Sequence, residues 1–520
     1  MQVKDVFMNL QNGNDVRGAA IATEKEARTL TGSIAEFIAA GFTSFLAERT
    51  GKAATDLRIG VGHDSRLTGE AISQATEKGL GEASVYDCGL ASTPAMFQST
   101  VLPGSSFDGA IMITASHLPF NRNGMKFFTK DGGLEHDEMT DVLTRAADLA
   151  EKYGKEDPED IVSAELFQLQ TGKRESFDIV DLYSEAMRAI IKEEVQSEDH
   201  EHPLKGLHIV LDAGNGAAGF FADRILAPLG ADTSGSRFLD PDGTFPNHVP
   251  NPEDQRAMDA IKEAVLASRA DLGVIFDCDG DRGAVVFSDG TEVNRNVLIA
   301  LLSAIVKDKN PDAVIVTDSV TSDELSEFLE KDLGLRHFRF KRGYKNVINK
   351  GIELNWDGEN CPLAIETSGH GAFRENYFSD DGAYLSVRII CRLAVMKREG
   401  KELSSLIASL KNPAESKERR FSIVDQEGDS RDYRQYGTEV LEAFRKFAEA
   451  EPLFHVVEPN YEGVRISFDD PEVKGWMLLR KSLHDPVMPM NLESEKAGGT
   501  DIILQRIQPF LEQWTRLSAS

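Results

Sequence analysis

The 520-residue chain has 86 Asp and Glu residues against 57 Lys and Arg residues, which gives a formal net charge of −29 at pH 7. A nucleic-acid-binding protein needs a basic surface to displace counterions. No dense Lys/Arg cluster occurs in this sequence, so we expect no nucleic-acid partner. At about 150 residues per domain, the length predicts three to four domains.

The sequence predicts a cytoplasmic protein without a membrane partner. The N-terminal residues lack the basic and apolar regions of a signal peptide, and the longest apolar stretch, Val297–Val306, is too short to span a bilayer. The four cysteines are far apart, which disfavours a zinc site or a disulfide framework and fits a reducing compartment. They are Cys88, Cys278, Cys361 and Cys391.

Strands and helices alternate at the start of the chain, which predicts a largely parallel, doubly wound sheet. In chain order, we predict a turn-rich segment over 11–18, a helix over Glu24–Arg49, a strand over Leu57–Gly62, a helix over Gly69–Gly79, a strand over Ser84–Asp87, a helix from Ser92 and a strand over Ala110–Ile113.

The segment Thr114–Lys126 reads TASHLPFNRNGMK and follows that last apolar strand. Its proline, asparagines and glycine predict a loop. A hydroxyl on a loop at the end of a buried strand is where α/β proteins often place catalytic groups. An ordinary strand exit, with Ser and Thr satisfying local backbone groups, fits this stretch alone equally well.

A helix over Glu135–Lys152 precedes an irregular acidic stretch, Glu156–Gly172, and we place a domain boundary near residue 175. A helix over Asp178–Glu194 and a strand over Leu207–Leu211 follow. Next come Gly214–Gly219, a literal GxGxxG before a predicted helix over Phe220–Leu229. The pattern occurs in dinucleotide-binding turns, but a tight strand-to-helix turn is the interpretation that we favour.

After an extended proline-containing loop over 241–253, a helix over Asp254–Arg269 and a strand over Leu272–Phe276, the sequence continues as Asp277-Cys278-Asp279-Gly280-Asp281-Arg282. Three carboxylates at alternate positions suit a hard divalent cation. The EF-hand pattern fails, because Arg282 replaces the required glycine and Ser288 the required glutamate. Adjacent anions after an apolar strand favour a metal site over a solvated acidic turn.

A third repeat begins near residue 308. Its predicted elements are a strand over Ala313–Thr317, a helix ending near Asp332, a strand over His337–Phe340, a strand over Leu363–Ile365 and a helix over Ala383–Arg398. The cations of Lys341–Lys345 fit a solvated turn or an anion contact equally well. Glu366–His370 form a polar loop after the last strand.

The C-terminal part is predicted to be smaller and α+β. Its predicted elements are a short helix over Glu402–Leu410, a charged linker over Asn412–Arg420, strands over Arg420–Val424, Gly463–Phe468 and Trp476–Arg480, and helices over Thr438–Ala450 and Ile502–Leu517.

At these residues the chain resembles the α-D-phosphohexomutase superfamily, which includes phosphoglucomutases and phosphomannomutases. Thr114–Lys126 is similar to its catalytic loop, usually TASHNP followed by NG and Lys, although Leu118 replaces an Asn. Asp277–Arg282 resembles the metal loop and Glu366–His370 the sugar-specificity loop. Asp15–Gly18, Gly62–Arg66 and the 241–253 loop resemble further landmarks, so the likeness extends over about residues 11–490 in order.

The resemblance implies a four-domain α/β architecture, with three doubly wound α/β domains and a smaller C-terminal α+β domain. The expected domains are 1–175 with the serine loop, 176–307 with the metal loop, 308–412 with the specificity loop and 413–520 with a phosphate-binding loop.

The resemblance also implies interconversion of hexose 1-phosphate and hexose 6-phosphate, of glucose or mannose or both, through a phosphoserine. One Mg²⁺ per chain, hexose 1,6-bisphosphate as activator and intermediate, and a monomer or homodimer belong to this expectation. The implied catalytic residues are Ser116, Lys126, Arg17, His117 and Arg282; the implied metal ligands are Ser116, Asp277, Asp279 and Asp281; the implied substrate-binding residues are Glu366, Ser368, His370, Gly343, Tyr344, Lys345, Arg480 and Ser482.

Alternatives stay open at this point. The family's fourth-domain loop usually reads RPSGTEP, whereas here Leu483 replaces a glycine and Lys481 or His484 would have to compensate. A phosphoglucosamine mutase is one alternative, since Thr367 does not decide the substrate. A non-catalytic sugar-phosphate binder is a second, and a nicotinamide oxidoreductase, based on the GxGxxG pattern alone, is a third.

Overall fold

The computed structural model describes residues 2–153, 161, 172–468, 470–482 and 485–519. The chain divides into two compact units. The first, which we call the N-terminal unit, comprises Met1–Asn294 with Ser368–Leu403; the second, the C-terminal unit, comprises Arg295–Thr367 with Ser404–Ser520. Among the described helices, none combines the length and apolar character needed to cross a bilayer.

An eight-stranded mixed sheet begins the N-terminal unit, in the order β1-β2-β6-β5-β3-β4-β8 with β7 paired to β6. Its strands are β1 (Gln11–Asn12), β2 (Asp15–Ala19), β3 (Arg58–His63), β4 (Ser84–Leu90), β5 (Gly109–Ile113), β6 (Arg122–Thr129), β7 (Gly132–Gly133) and β8 (Arg174–Ser176). Strands β5, β3, β4 and β8 run parallel, while β6, β2 and β1 are added antiparallel at one side.

Helices cover both faces of this sheet. They are α1 (Val3–Met8), α2 (Gly32–Thr50), α3 (Gly69–Gly79), α4 (Thr93–Gln98) and α5 (His136–Lys152). Helices α1, α2, α3 and α5 share one apolar core with Ile59, Val61, Ile111 and Ile113 of the sheet. On the other face, Gly60 and Gly62 let Phe107 and Met96 approach the strand backbone closely.

Three predictions for this region were wrong in detail. The predicted turn over 11–18 forms β1 and β2, and the end of the predicted loop forms β6. Gly124 shows why: a Cβ there would lie 2.2 Å from the Val16 carbonyl oxygen and 2.8 Å from that of Thr114, so glycine serves close strand packing here. Helix α2 starts at Gly32 rather than Glu24, because the Thr31 side chain caps it by accepting from the Ile34 N–H.

The second sheet of the N-terminal unit has the order β12-β11-β10-β9, with β9 and β10 parallel. Its strands are β9 (Ile209–Asp212), β10 (Leu272–Phe276), β11 (Gly283–Phe287) and β12 (Glu292–Val293), and its helices are α6 (Ile179–Val195) and α7 (Gln255–Ser268). The predicted helix over Phe220–Leu229 is a π-helical segment, Phe221–Leu226, followed by a 3₁₀ turn, Ala227–Leu229.

The first half of the C-terminal unit has three parallel strands in the order β14-β13-β15. Its elements are α8 (Arg295–Lys307), β13 (Val314–Thr317), α9 (Asp323–Glu327), a π-helical continuation over Phe328–Asp332, β14 (Arg336–Arg339), α10 (Tyr344–Trp356) and β15 (Leu363–Ile365). The chain then returns to the N-terminal unit with β16 (Gly371–Phe373), a 3₁₀ turn over Arg374–Asn376 and α11 (Gly382–Arg398).

After a 3₁₀ segment over Leu403–Ile407, the rest of the C-terminal unit forms an antiparallel six-stranded sheet in the order β18-β19-β20-β21-β17-β22. Its elements are β17 (Glu415–Ile423), α12 (Tyr433–Ala450), β18 (His455–Val456), β19 (Val464–Phe468), β20 (Gly475–Leu479), β21 (Val487–Ser494), α13 (Gly499–Leu511) and β22 (Leu517–Ala519). Strand β17 occupies most of the predicted charged linker, so that prediction was wrong. The predicted α+β character is confirmed.

Candidate active site

Ser116 follows β5 and adopts a left-handed backbone conformation, with φ of +50°. Its hydroxyl donates to Asp277 Oδ2 at 2.9 Å and accepts from Arg282 Nη2 at 2.9 Å. Asp277 and Arg282 follow β10 in the second sheet of the same unit, and both are buried. The fold therefore brings the serine loop and the acidic loop, 161 positions apart, into direct contact.

The three aspartates of the acidic loop form a compact oxygen-ligand cluster. One carboxylate oxygen each of Asp277, Asp279 and Asp281 lies within 4.8 Å of the others, and all three residues are fully buried. Asp279 Oδ1 and Asp281 Oδ1 have no hydrogen-bond partner among the described residues. Buried carboxylate oxygens without donors fit a hard divalent cation such as Mg²⁺, which prefers oxygen ligands.

The three buried carboxylates place negative charges close together, which nearby positive charge stabilises. Burial, reinforced by the charges of Asp281 and Asp279, raises the pKa of Asp277 well above its usual range. Lys126, on β6, places its Nζ 2.5 Å from Asp281 Oδ2 and 3.7 Å from Asp279 Oδ2. Although burial acts the other way, Lys126 and then His370 hold the pKa of Asp281 well below its usual range.

His117 contacts Arg282, and Arg17 contacts the start of the serine loop. Arg282 Nη2 contacts His117 Nδ1, and burial together with Arg282 lowers the pKa of His117 to about 3. The imidazole is therefore neutral at physiological pH and accepts from the guanidinium. Arg17 donates from Nη1 to the carbonyl of Thr114 and from Nη2 to Asp15 Oδ2 at 2.9 Å.

His370, a predicted sugar-binding residue, lies beside the acidic cluster. Its Nε2 is 3.5 Å from Asp281 Oδ1 and 3.6 Å from Asp380 Oδ2. Its Nδ1 shares a hydrogen bond of 2.8 Å with the hydroxyl of Ser368. Ser368 and His370 thus belong to the same unit as Ser116.

The remaining predicted substrate-binding residues lie in the C-terminal unit. Glu366 Oε1 accepts from the N–H of Gly343 at 2.5 Å, and Gly343, with φ of +111°, precedes α10. Tyr344 and Lys345 begin α10. Arg480 Nη1 is 3.8 Å from Glu462 Oε1.

The phosphate-binding loop predicted after β20 is described only in part. Ser482 donates its N–H to the Val487 carbonyl at 2.8 Å, and its hydroxyl accepts from the N–H of Asp485 at 3.3 Å. Leu483 and His484, which depart from the family pattern, lie outside the described residues. Lys481 donates from Nζ to the hydroxyl of Thr438, on α12, at 2.7 Å.

The GxGxxG segment, Gly214–Gly219, packs against the backbone of the acidic loop at Cys278. A Cβ at Gly216 would lie 2.5 Å from the Cys278 carbonyl oxygen, and one at Gly219 2.2 Å from that of Leu239. The Ala217 N–H donates to the Cys278 carbonyl at 2.7 Å. These glycines allow backbone segments to approach one another, as the interpretation of a tight turn requires.

Three contacts with residues of the acidic loop escaped the sequence analysis. Thr93, at the start of α4, donates its hydroxyl to Asp279 Oδ2 at 2.6 Å. In the 241–253 loop, Asn251 Oδ1 accepts from Arg282 Nη1 at 3.4 Å. Glu253 Oε2 lies 3.9 Å from the same Arg282 nitrogen. For Thr93 the one available signal was its position after β4, at the same sheet edge as Ser116.

A serine hydroxyl beside three carboxylates suited to Mg²⁺, with an arginine donating to it, is typical of metal-assisted phosphoryl-transfer enzymes. The phosphoglucomutase/phosphomannomutase α/β/α domain families I, II and III match residues 8–153, 181–290 and 294–413. The chain belongs to the phosphoglucomutase/phosphomannomutase family and is an enzyme of the phosphohexomutase class, as its motifs predict.

Known relatives support this assignment along the whole chain. A phosphomannomutase/phosphoglucomutase of Pseudomonas putida is 29% identical over 456 residues, or 87% of this chain and 86% of that protein. A phosphoglucomutase of Neisseria gonorrhoeae is 27% identical over 515 residues, or 98% of this chain and 97% of that protein. The crystal structure of a phosphoglucomutase/phosphomannomutase family protein from Burkholderia thailandensis has a TM-score of 0.76 and 26% identity, covering 100% of both chains. The predicted four-domain α/β fold class is confirmed.

Proposed function

We propose that the chain interconverts hexose 1-phosphate and hexose 6-phosphate, of glucose or mannose or both, with Ser116 as the phosphoryl carrier. The observation that carries this proposal is the placement of Ser116 Oγ between Asp277 Oδ2 and Arg282 Nη2, at 2.9 Å from each. A nucleophile held between an acceptor and a cation is oriented for transfer to and from phosphate.

In the proposed cycle Ser116 starts as a phosphoserine. A sugar hydroxyl attacks the phosphorus and gives its proton to a basic group, while the bond between phosphorus and Oγ breaks and Oγ takes up a proton. The second transfer reverses these proton movements. The resulting hexose 1,6-bisphosphate turns over in the site, and Ser116 Oγ takes the other phosphoryl group back. The sugar leaves as the isomeric monophosphate, and no phosphate is consumed.

Each group near Ser116 is assigned a role by its contacts. Arg282 would hold the phosphoryl oxygens, since its guanidinium already donates to Ser116 Oγ. Lys126 is assigned the proton movements at the reacting oxygens on the basis of the resemblance of its loop, and its Nζ lies 2.5 Å from Asp281 Oδ2. His117 would orient Arg282, and Arg17 would steady the Thr114 carbonyl at the start of the loop.

One Mg²⁺ per chain would be held by Asp277, Asp279, Asp281 and an oxygen of Ser116 or its phosphate. When bound, the ion supplies charge neutralisation on the transferring phosphoryl group. The buried oxygens of Asp279 and Asp281 without donors support this ligand set.

We assign sugar hydroxyls to Glu366, Ser368 and His370, on the basis of the resemblance of their loop. The second phosphate of the substrate is assigned to residues of the C-terminal unit that offer cations, hydroxyls or backbone N–H groups. These are Gly343, Tyr344, Lys345, Arg480 and Ser482. Arg480 is 8% exposed, and its Nη1 lies 3.8 Å from Glu462 Oε1.

Replacement of Ser116 by alanine tests the carrier role. We expect intact-mass measurement to find a covalent phosphate on the wild type, and S116A to lose both that phosphate and the mutase activity. S106A is a matched control, because Ser106 is another serine of the same domain in the left-handed region, with φ of +46°, on an exposed turn. Wild-type turnover by S116A would refute the proposal.

A coupled assay identifies the preferred substrate by comparing turnover of glucose, mannose and glucosamine 1-phosphates, with and without the bisphosphate activator. Preferred turnover of the glucosamine phosphate would favour a phosphoglucosamine mutase. Binding without turnover, with Mg²⁺ and bisphosphate present, would favour a non-catalytic homologue. Location in the cytoplasm and a monomeric or homodimeric state stay predictions.

A further inference from the structure

Arg66 binds the serine loop through four backbone carbonyls. It is 3% exposed and follows β3, the parallel neighbour of β5. Its Nη1 donates to the carbonyls of Pro119 and Arg122 at 2.9 Å each. Its Nη2 donates to the carbonyls of Leu118, at 2.6 Å, and Ser116. One guanidinium therefore holds the loop from Ser116 to Arg122.

The backbone of Ser116 needs such support. A non-glycine residue in the left-handed region costs free energy and persists only where its surroundings hold it. The Ser116 N–H donates to Thr114 Oγ1 at 2.8 Å, and the Ser116 carbonyl accepts from Arg66. Polar groups on both sides of the Ser116 Cα are thus bound, which orients the hydroxyl.

Arg66 is in turn connected to the acidic loop. Asp64 Oδ1 accepts from the Arg66 N–H at 2.9 Å, and Asp64 Oδ2 lies 3.4 Å from Arg66 Nε. The thiol of Cys278 donates to the same Asp64 Oδ2 at 3.3 Å. Cys278 stands between Asp277 and Asp279, so Asp64 contacts both the Arg66 side chain and the acidic loop.

The guanidinium is also covered by an aromatic ring. The ring of Phe245, in the 241–253 loop, is centred 5.4 Å from the Arg66 guanidinium carbon. A Cβ at Gly243 would lie 2.5 Å from the Leu67 nitrogen and the Ser65 carbonyl oxygen, so this loop packs directly on the Arg66 segment. Rotation of the Arg66 side chain is therefore restricted on several sides.

We propose that Arg66 is a positioning residue that sets the Ser116 hydroxyl against the acidic loop, and that the contact of Asp64 with Cys278 keeps the two loops in register. This inference rests on the proposed function for its consequence in turnover, but its claim about loop order stands apart from that function. Arg66 has no assigned contact with substrate or metal, so it acts through Ser116.

The consequence for rate follows from geometry. Transfer requires Ser116 Oγ to lie in line with a phosphorus atom, and a displacement of about 1 Å can cost about 10²-fold in rate. The sugar is assigned to other side chains, so its apparent affinity should change little. A lysine at position 66 keeps the charge but cannot serve four carbonyls in one plane.

The experiment compares R66K with the wild type, and with R58K as a matched control. Arg58 is a half-buried arginine on β3 whose guanidinium carbon lies 5.2 Å from the ring centre of Tyr86 and 5.3 Å from that of Phe107. We expect R66K to lose about 10²-fold in kcat with a nearly unchanged KM for sugar phosphate. Hydrogen exchange of the amides of Ser116, Leu118 and Arg122 should become about tenfold faster, while that of α12 stays as in the wild type. R58K should show neither change.

The inference would be overturned if hydrogen exchange at residues 114–122 of R66K equalled that of the wild type. It would also be overturned if R66K changed only KM, or if R58K lost kcat to the same extent. If the wild type proves inactive as a mutase, the proposed function fails, yet the exchange data still decide the role of Arg66 in ordering the loop. Should R66K not fold, D64N removes the charge opposite the guanidinium, and the same changes are expected at smaller amplitude.

Discussion

Lys126 supplies positive charge to the buried carboxylates from within the chain. Its Nζ lies 2.5 Å from Asp281 and 3.7 Å from Asp279, and both carboxylates are fully buried. A buried anion that loses its partner costs about 3–5 kcal/mol. A divalent cation bound to these carboxylates would therefore neutralise the same negative charge as Lys126.

Replacement of Lys126 by methionine should make the stability of the protein more dependent on Mg²⁺. We expect K126M to melt below the wild type without metal and to show a larger Mg²⁺-induced rise in melting temperature, because the ion then meets less positive charge. Its kcat should fall by about 10²–10⁴-fold if Lys126 moves protons. Thermal melting with EDTA and with Mg²⁺ measures the first effect.

K130M is the control, since Lys130 is exposed on the turn after β6. Its Mg²⁺-induced rise should equal that of the wild type. An equal rise in K126M and the wild type would show that Lys126 and the cation do not share the carboxylates.

The residues that the sequence identified share a local signature. Ser116 and Asp277 each follow a buried strand at close spacing, so pattern and chain position were sufficient to single them out. Arg66 and Thr93 were not assigned a role, because their partners are far along the chain. Thr93 contacts Asp279 across 186 positions, and no local pattern encodes that contact.

At the scale of elements, the pair β20 and β21 shows how a buried carboxylate depends on its strand. Trp476 and Glu493 are opposite each other in the antiparallel ladder, and Trp476 Nε1 donates to Glu493 Oε2 at 2.9 Å. Ser416, on β17, donates its hydroxyl to Glu493 Oε1 at 3.1 Å. Burial raises the pKa of Glu493 to about 7.

A raised pKa in the folded state means that protonated Glu493 is favoured by folding. Its contribution to stability is complete below the unfolded pKa of about 4.5 and is lost as pH rises through about 7. Glutamine does not titrate; its amide oxygen can accept from Trp476 Nε1, and its amide nitrogen can donate to the Ser416 hydroxyl oxygen. We therefore expect E493Q to gain stability relative to the wild type between pH 5 and pH 8, by at most about 3 kcal/mol.

Denaturant unfolding of both proteins at pH 5 and pH 8 measures this difference. E495Q is the control, because Glu495 is on the surface in an ion pair with Lys474 at 2.7 Å. A difference between E493Q and the wild type that does not change with pH would contradict the expectation.

Two strands show why elements are harder to predict than site residues. Most of β17 was predicted as a charged linker because Glu415–Arg420 is rich in charged residues, but its backbone pairs with β21 and β22. β21 contains Pro489, which usually argues against a strand. In both cases the strand forms through backbone pairing, which the pattern of apolar and polar side chains does not predict.

At the scale of the molecule, each compact unit has its own aromatic reporters. All three tryptophans of the chain, Trp356, Trp476 and Trp514, belong to the C-terminal unit. The acidic cluster belongs to the N-terminal unit. Tryptophan fluorescence therefore reports on one unit, and the Mg²⁺ ligands lie in the other.

Mg²⁺ should raise the unfolding temperature of the N-terminal unit alone. A ligand stabilises the folded part that binds it by RT ln(1 + [L]/Kd). We expect scanning calorimetry to show a transition that moves upward with Mg²⁺, while the transition followed by tryptophan fluorescence stays in place. Equal shifts in both signals would show that the units unfold as one.

The sequence by itself determined the family, the fold class and the loops that carry chemistry, because strand-end motifs are local and their residue types follow from the chemistry of phosphate and metal. Domain boundaries and the roles of individual site residues stay predictions. Only the tertiary structure decided which groups meet. The turn-like residues of β6, the exposed strand β17 and the four carbonyls bound by Arg66 all depend on contacts between distant segments. Such contacts arise from backbone pairing and close packing, which leave little trace in the local order of residues.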